Sequence, residues 1–187
     1  MSASAIRLDG AHFKDEQGRT LLLRGVNLGG RKVVMSELRA VCEKAGFTAV
    51  ETLIASGNLV LTSDLKAEKL ETKLEAVILK GLGLKTDVHV RTADELDAIV
   101  AANPFRAFAK TNANFLVVYF MRAKATAAEM ATIVKTALTG EEAIQGKGCL
   151  YIKFPKGQGV SKLKLPKLGT ARNWNTVTKL AAMARAE

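Results

Sequence analysis

The chain has 187 residues, with 28 Lys+Arg against 18 Asp+Glu and two His, so it carries a formal net charge of +10 and a pI near 9.8. That length suits one domain or two small subdomains, and 48% hydrophobic with 25% charged residues excludes a disordered, collagen-like or disulfide-built chain. The longest apolar runs, such as 115–121, are far too short to span a bilayer, and no apolar signal-peptide core opens the chain, so a cytoplasmic protein with no membrane partner is expected.

Residues 1–20 read as an added hairpin, with Ile6 and Leu8 on one strand side and Gly10 and Gly18 at turns. The segment 20–27 (TLLLRGVN) is aliphatic, is closed by Gly29 and Gly30, and reads as a buried strand. A helix over 36–44 follows from Leu38, Val41 and Cys42 at helical spacing, with Ser36 as N-cap and Gly46 as stop. Strands at 50–55 and 58–62 flank Ser56-Gly57 as an antiparallel pair. Leu70, Leu74, Val77 and Ile78 form the stripe of a second helix, and 88–91 is a short strand.

The order β-α-β-β-α-β is the ferredoxin-like plan. In the second half, Thr92-Ala-Asp-Glu95 is a capping box for a helix to Ala101, which Asn103-Pro104-Phe105 stops. A strand at 115–121 follows. Thr126-Ala-Ala-Glu129 heads another helix that Gly140 ends, 149–154 is a strand, and 172–184 is a closing helix. The expected fold is α+β, with two ferredoxin-like subdomains, 21–91 and 92–187, on antiparallel or mixed sheets, behind the N-terminal extension 1–20.

Beyond Gly148 stand eight bases and a single acid, Glu187, so most of the net charge sits in the last quarter. Such concentration points to a polyanionic partner, because neutralising phosphates releases counterions and steers encounter. Two elements there suit an anion. Lys156-Gly157-Gln-Gly159-Val-Ser161-Lys162 is a basic Gly-rich loop, and Thr170, Arg172, Asn173, Trp174 and Asn175 surround a helix start, where free N–H groups favour an oxyanion and the lone tryptophan is placed to stack on a base. Arg24, Gly25, Asn27, Gly29, Gly30 and Arg31 form a possible second wall. Their G-x-x-x-x-G spacing approaches a phosphate loop, but Arg31 stands in place of its lysine and no hydroxyl follows to hold Mg²⁺.

Cys42 and Cys149 lie far apart in no Cys-x-x-Cys pattern and read as buried thiols, and His12 and His89 have no ligand-spaced partners. No cofactor or metal is expected. Ser56 and Ser161 lack a nucleophile elbow or a histidine base, and the aromatic RNP signature is missing. The residues therefore favour a non-catalytic binding module for a phosphate-bearing ligand, nucleic acid first. A small enzyme acting on a phosphorylated or carboxylated metabolite is the alternative, and a protein-interaction module stands third.

Seven stretches in order, LLRGVNLGG (22–30), ASGN (55–58), VRT with ANPF (90–92 and 102–105), LYIK (150–153), GVSKL (159–163) and GTARNWNTV (169–177), resemble the domain of unknown function 1697 family over about 21–183. The resemblance implies a small bacterial α+β protein with two ferredoxin-like subdomains and implies no activity. Residues 1–20, read through LRGVNLGG, are instead similar to the opening hairpin of family 5 glycoside hydrolases. A (β/α)₈ glycosidase needs about 250 residues, and no paired carboxylates follow Gly30 to hydrolyse a glycoside. A fused or rearranged N-terminus is expected.

Overall fold

The computed structural model describes residues 18–23, 34–53 and 57–185. Among them are eight strands and six α-helices, arranged as an α+β fold on two separate four-stranded sheets, each antiparallel throughout. The first sheet comprises β1 (Gly18–Leu23), β2 (Thr48–Leu53), β3 (Asn58–Thr62) and β4 (Val88–Thr92) in the order β2-β3-β1-β4, with α1 (Met35–Lys44) before β2 and α2 (Ala67–Leu82) before β4. The strand expected at 20–27 begins at Gly18, where Gly18 pairs with Thr62, so the central strand of the sheet starts inside the expected extension. Residues 1–17 of that extension lie outside the described residues.

The second sheet repeats the order. It comprises β5 (Leu116–Met121), β6 (Glu142–Gly146), β7 (Cys149–Lys153) and β8 (Gly169–Asn173), arranged β6-β7-β5-β8, with α5 (Ala127–Thr136) between β5 and β6. No second α-helix lies between β7 and β8. An extended strap, residues 154–168, takes that place and contains only the 3-10 turn Gln158–Val160. Each sheet's last strand runs straight into a helix, β4 into α3 (Ala93–Ala101) and β8 into α6 (Trp174–Met183), and these two helices pack on each other.

Three apolar layers hold the sheets. Leu59, Leu61, Val88 and Val90 pack under Leu38, Cys42, Leu70, Leu74 and Ile78 of α1 and α2. Between the sheets, Leu116, Val118, Phe120 and Tyr151 meet Leu96 and Ile99 of α3 and Val177 and Leu180 of α6, with Val60 joining from the first sheet. The opposite face of the second sheet, Val117, Tyr119, Leu150 and Ile152, is covered by Ile133 of α5 and by Leu163 and Leu165 of the strap. Burial on both faces explains why β5 is apolar at every position.

Both capping boxes form as expected, Glu95 N donating to Thr92 Oγ1 at 3.0 Å and Glu129 N to Thr126 Oγ1 at 3.2 Å. Ser36 does not cap α1. That helix starts one residue earlier, behind Val34 and without a side-chain cap. Three elements escape the sequence pattern, namely α4 (Arg106–Asn112), β6 and β8. The closing helix begins at Trp174 rather than Arg172 because 169–173 is drawn out as a strand along β5. Gly169 permits that pairing, since a Cβ there would sit 2.3 Å from the Tyr119 ring.

Candidate functional site

The seam between the sheets is built from two matching corners. In each, an arginine stands one residue before a helix N-cap, Arg91 before Thr92 and Arg172 before Asn173. Each reaches out of its own sheet into the other. Arg91 Nη2 donates to Met121 O at 2.6 Å and to Gly148 O at 2.8 Å, the end of β5 and the β6–β7 turn. Arg172 Nε donates to Oδ1 of Asn58, which opens β3, and its Nη1 to Thr170 Oγ1 at 3.0 Å. Burial lowers the pKa of both guanidiniums, that of Arg172 to about 10, which leaves Arg172 charged at neutral pH.

A third arginine closes the outer edge of β4. Glu71 and Glu75, one turn apart on α2, accept from Val90 N at 2.9 Å and Val88 N at 3.0 Å, so the exposed edge N–H groups find carboxylates instead of another strand. Arg122, just past β5, ion-pairs with Glu71 at 3.0 Å and with Glu75, and donates to Val88 O at 2.8 Å. Burial raises the Glu71 pKa, against the pull of the Val90 N–H and Arg122. Beside this cluster lies a cavity of about 850 Å³, walled by the start of α2, one face of α3, Arg91, Met121 and the β6–β7 turn.

The strap lies on the far side of the second sheet from the seam. Its backbone is tied down where Lys164 N donates to Thr136 Oγ1 at 3.0 Å and Tyr119 donates to Pro166 O. Ser161 Oγ donates to Glu141 and accepts from Leu163 N at 3.1 Å. Burial pushes the Glu141 carboxyl up, but hydrogen bonds from Ser161, its own N–H and both groups of Thr139 outweigh this and hold it at about 2. Along 161–165 exposure alternates. Ser161, Leu163 and Leu165 are partly buried, while Lys162 and Lys164 are exposed, as are Lys156 and Lys167.

Residues 18–151 match the family described as Protein of unknown function (DUF1697). The chain belongs to that family. The match ends at Tyr151, so it contains Arg91, the seam cavity, β5, β6 and the first three residues of β7, while the strap and β8 lie past it. The fold is similar to that in "The structure of conserved bacterial protein SP0830 from Streptococcus pneumoniae", at TM-score 0.72 and 26% identity, covering 90% of this chain and 99% of that one. No curated protein matches the sequence.

The residues singled out from the sequence do not gather on one surface. Alternation along β8 turns Thr170 and Arg172 into the seam, opposite Phe120 and Val118, whereas Ser161 and Lys162 ride the strap on the other face. Asn173 accepts from Thr176 N at 2.9 Å and so caps α6. Asn175 donates to Asn114 at 2.9 Å, and Trp174 packs on the core while its backbone N–H donates to Ala113 O at 3.2 Å. Gly157 takes φ +81°, where a Cβ would stand 3.5 Å from the Phe115 ring, and a Cβ at Gly159 would meet open space. Arg24, Gly25, Asn27, Gly29, Gly30, Arg31 and Ser56 lie outside the described residues.

Sequence reasoning missed Glu71, Arg91, Arg122 and the cavity. Glu71 and Glu75 lie four residues apart on α2, and it is the edge position of β4 that gives their carboxylates backbone N–H partners. Among the described residues no group of three or more His, Cys, Asp or Glu is placed to hold a metal, and no helix is long and apolar enough to cross a membrane.

Proposed function

We propose that this protein is a non-catalytic module that binds the phosphate backbone of nucleic acid along the strap, on a scaffold of two ferredoxin-like subdomains. One observation carries the reading: Lys162 and Lys164 alternate with inward leucines on a segment fixed at Ser161, Lys164 and Pro166, and no acid occurs from 154 to 168. Two residues of extended chain put the Cα atoms of those lysines about 7 Å apart, a spacing suited to successive phosphates of one strand. Lys156 and Lys167 extend the row. The ammonium groups are point charges, which supports backbone contact without base readout. Both sheets share the order 2-3-1-4, which supports the ferredoxin-like description.

Fluorescence anisotropy with a labelled 12-nucleotide single strand tests this. Binding falls linearly with the logarithm of salt, and Lys162→Ala/Lys164→Ala lowers that slope by about 1.4, two contacts at about 0.7 each on a single strand. A flat salt dependence, or an unchanged slope in the double variant, refutes it. The seam cavity favours a second reading, a small enzyme for a phosphorylated or carboxylated metabolite, which would show one saturable site and a shallow salt slope.

A further inference from the structure

The seam cavity holds a buried positive charge with no carboxylate in contact among the described residues. Arg91 is 8% exposed and lines the cavity, yet its acceptors are three backbone carbonyls, Val90 O at 2.6 Å besides Met121 O and Gly148 O, with the Phe120 ring 5.7 Å beneath. Among the described residues no carboxylate stands within ion-pair distance of it, and Glu95 and Glu71 act on it only from farther off. Carbonyl dipoles offset only part of the cost of burying a charge.

The acids of the same wall are already engaged. Glu71 is paired with Arg122 at 3.0 Å and Asp94 with Arg185, and Glu95 accepts from Thr92 N at 2.9 Å. Glu68 is exposed, where water screens it. Lys147, exposed on the β6–β7 turn, adds a mobile cation beside Arg91. The rest of the lining is short or apolar, with Ala67, Ala98, Ala102, Ile99 and Met121, and the volume of about 850 Å³ falls in the range of small-molecule sites.

We propose that this cavity binds a small amphiphilic anion, its carboxylate or sulfonate head meeting Arg91 and Lys147 and its apolar body lying along Ala98, Ile99 and Met121. The site gives the metabolite reading a place and a ligand class, requires no catalysis, and uses no residue of the strap.

The test is a titration of the full chain with the fluorescent sulfonate 8-anilinonaphthalene-1-sulfonate, followed by displacement with decanoate and with decanol, which share a body and differ in charge. One saturable site is expected, from which decanoate displaces the probe at a concentration about tenfold lower than decanol. Ala98→Phe, on the exposed side of α3, fills the cavity and weakens the probe and both displacers about tenfold with Tm unchanged. Arg91→Gln removes the decanoate advantage. Should that variant fail to fold, Lys147→Ala, on an exposed turn, narrows the advantage about threefold. Lys162→Ala/Lys164→Ala leaves all of these constants unchanged, which separates this site from the strap. Equal potency of decanoate and decanol, or binding indifferent to Ala98→Phe, overturns the proposal.

Discussion

Glu141→Gln isolates the latch that holds the strap. The carboxylate accepts from Thr139 N and Thr139 Oγ1, both at 2.8 Å, and from Ser161 Oγ, in a site 6% exposed. Lowering a carboxyl from its ordinary 4.5 to about 2 corresponds to about 3 kcal/mol of preference for the folded state. Glutamine keeps the volume and one acceptor oxygen, so the substitution should cost about 2 kcal/mol at pH 7. Because the folded pKa is depressed, the contribution is complete above about 4.5 and fades as the pH falls toward about 2, with about 2 kcal/mol gone by pH 3. Urea unfolding followed by far-UV circular dichroism at pH 7 and pH 3 measures the gap between wild type and variant, since the general acid destabilisation is common to both. The gap should shrink from about 2 to under about 1 kcal/mol. A gap that is equal at the two pH values, or below about 0.5 kcal/mol at pH 7, would show that the carboxylate is not what fastens the strap.

Across the seam, Arg172→Ala and Asn58→Ala should each cost about 2 kcal/mol in thermal or urea unfolding, because each removes one side of the hydrogen bond from the Arg172 guanidinium to the fully buried Asn58. The double variant should cost scarcely more than either single one, and additive losses would show that the two do not act together. Cys42 and Cys149 are fully buried, with thiols pushed up to about 11 by burial, so at pH 8 both should resist Ellman's reagent in the native protein and react once urea unfolds it. Rapid labelling without denaturant would contradict the packing.

Local chemistry made much of the scaffold legible in the chain. The two Thr-x-x-Glu boxes announce α3 and α5 because an N-cap bond closes within four residues and needs no distant partner. The stripe of Leu70, Leu74 and Ile78 and the apolar run of β5 are equally self-declaring, since burial of one helix face or of both strand faces is written in the periodicity. What stayed hidden depends on neighbours. The segment Gly-Thr-Ala-Arg-Asn has no strand propensity worth reading, and it becomes β8 only because β5 offers an open edge and Gly169 lets the backbone approach Tyr119. Arg172, read from its sequence neighbours as part of a basic surface, is taken inside by the alternation that this pairing imposes. Arg91 joins the end of β5 only because α3 and α6 bring the two sheets together, across sequence separations of 30 and 57 residues. Hydrogen bonds at such distances carry no periodic signal, so the seam and its cavity are properties of the assembled fold alone.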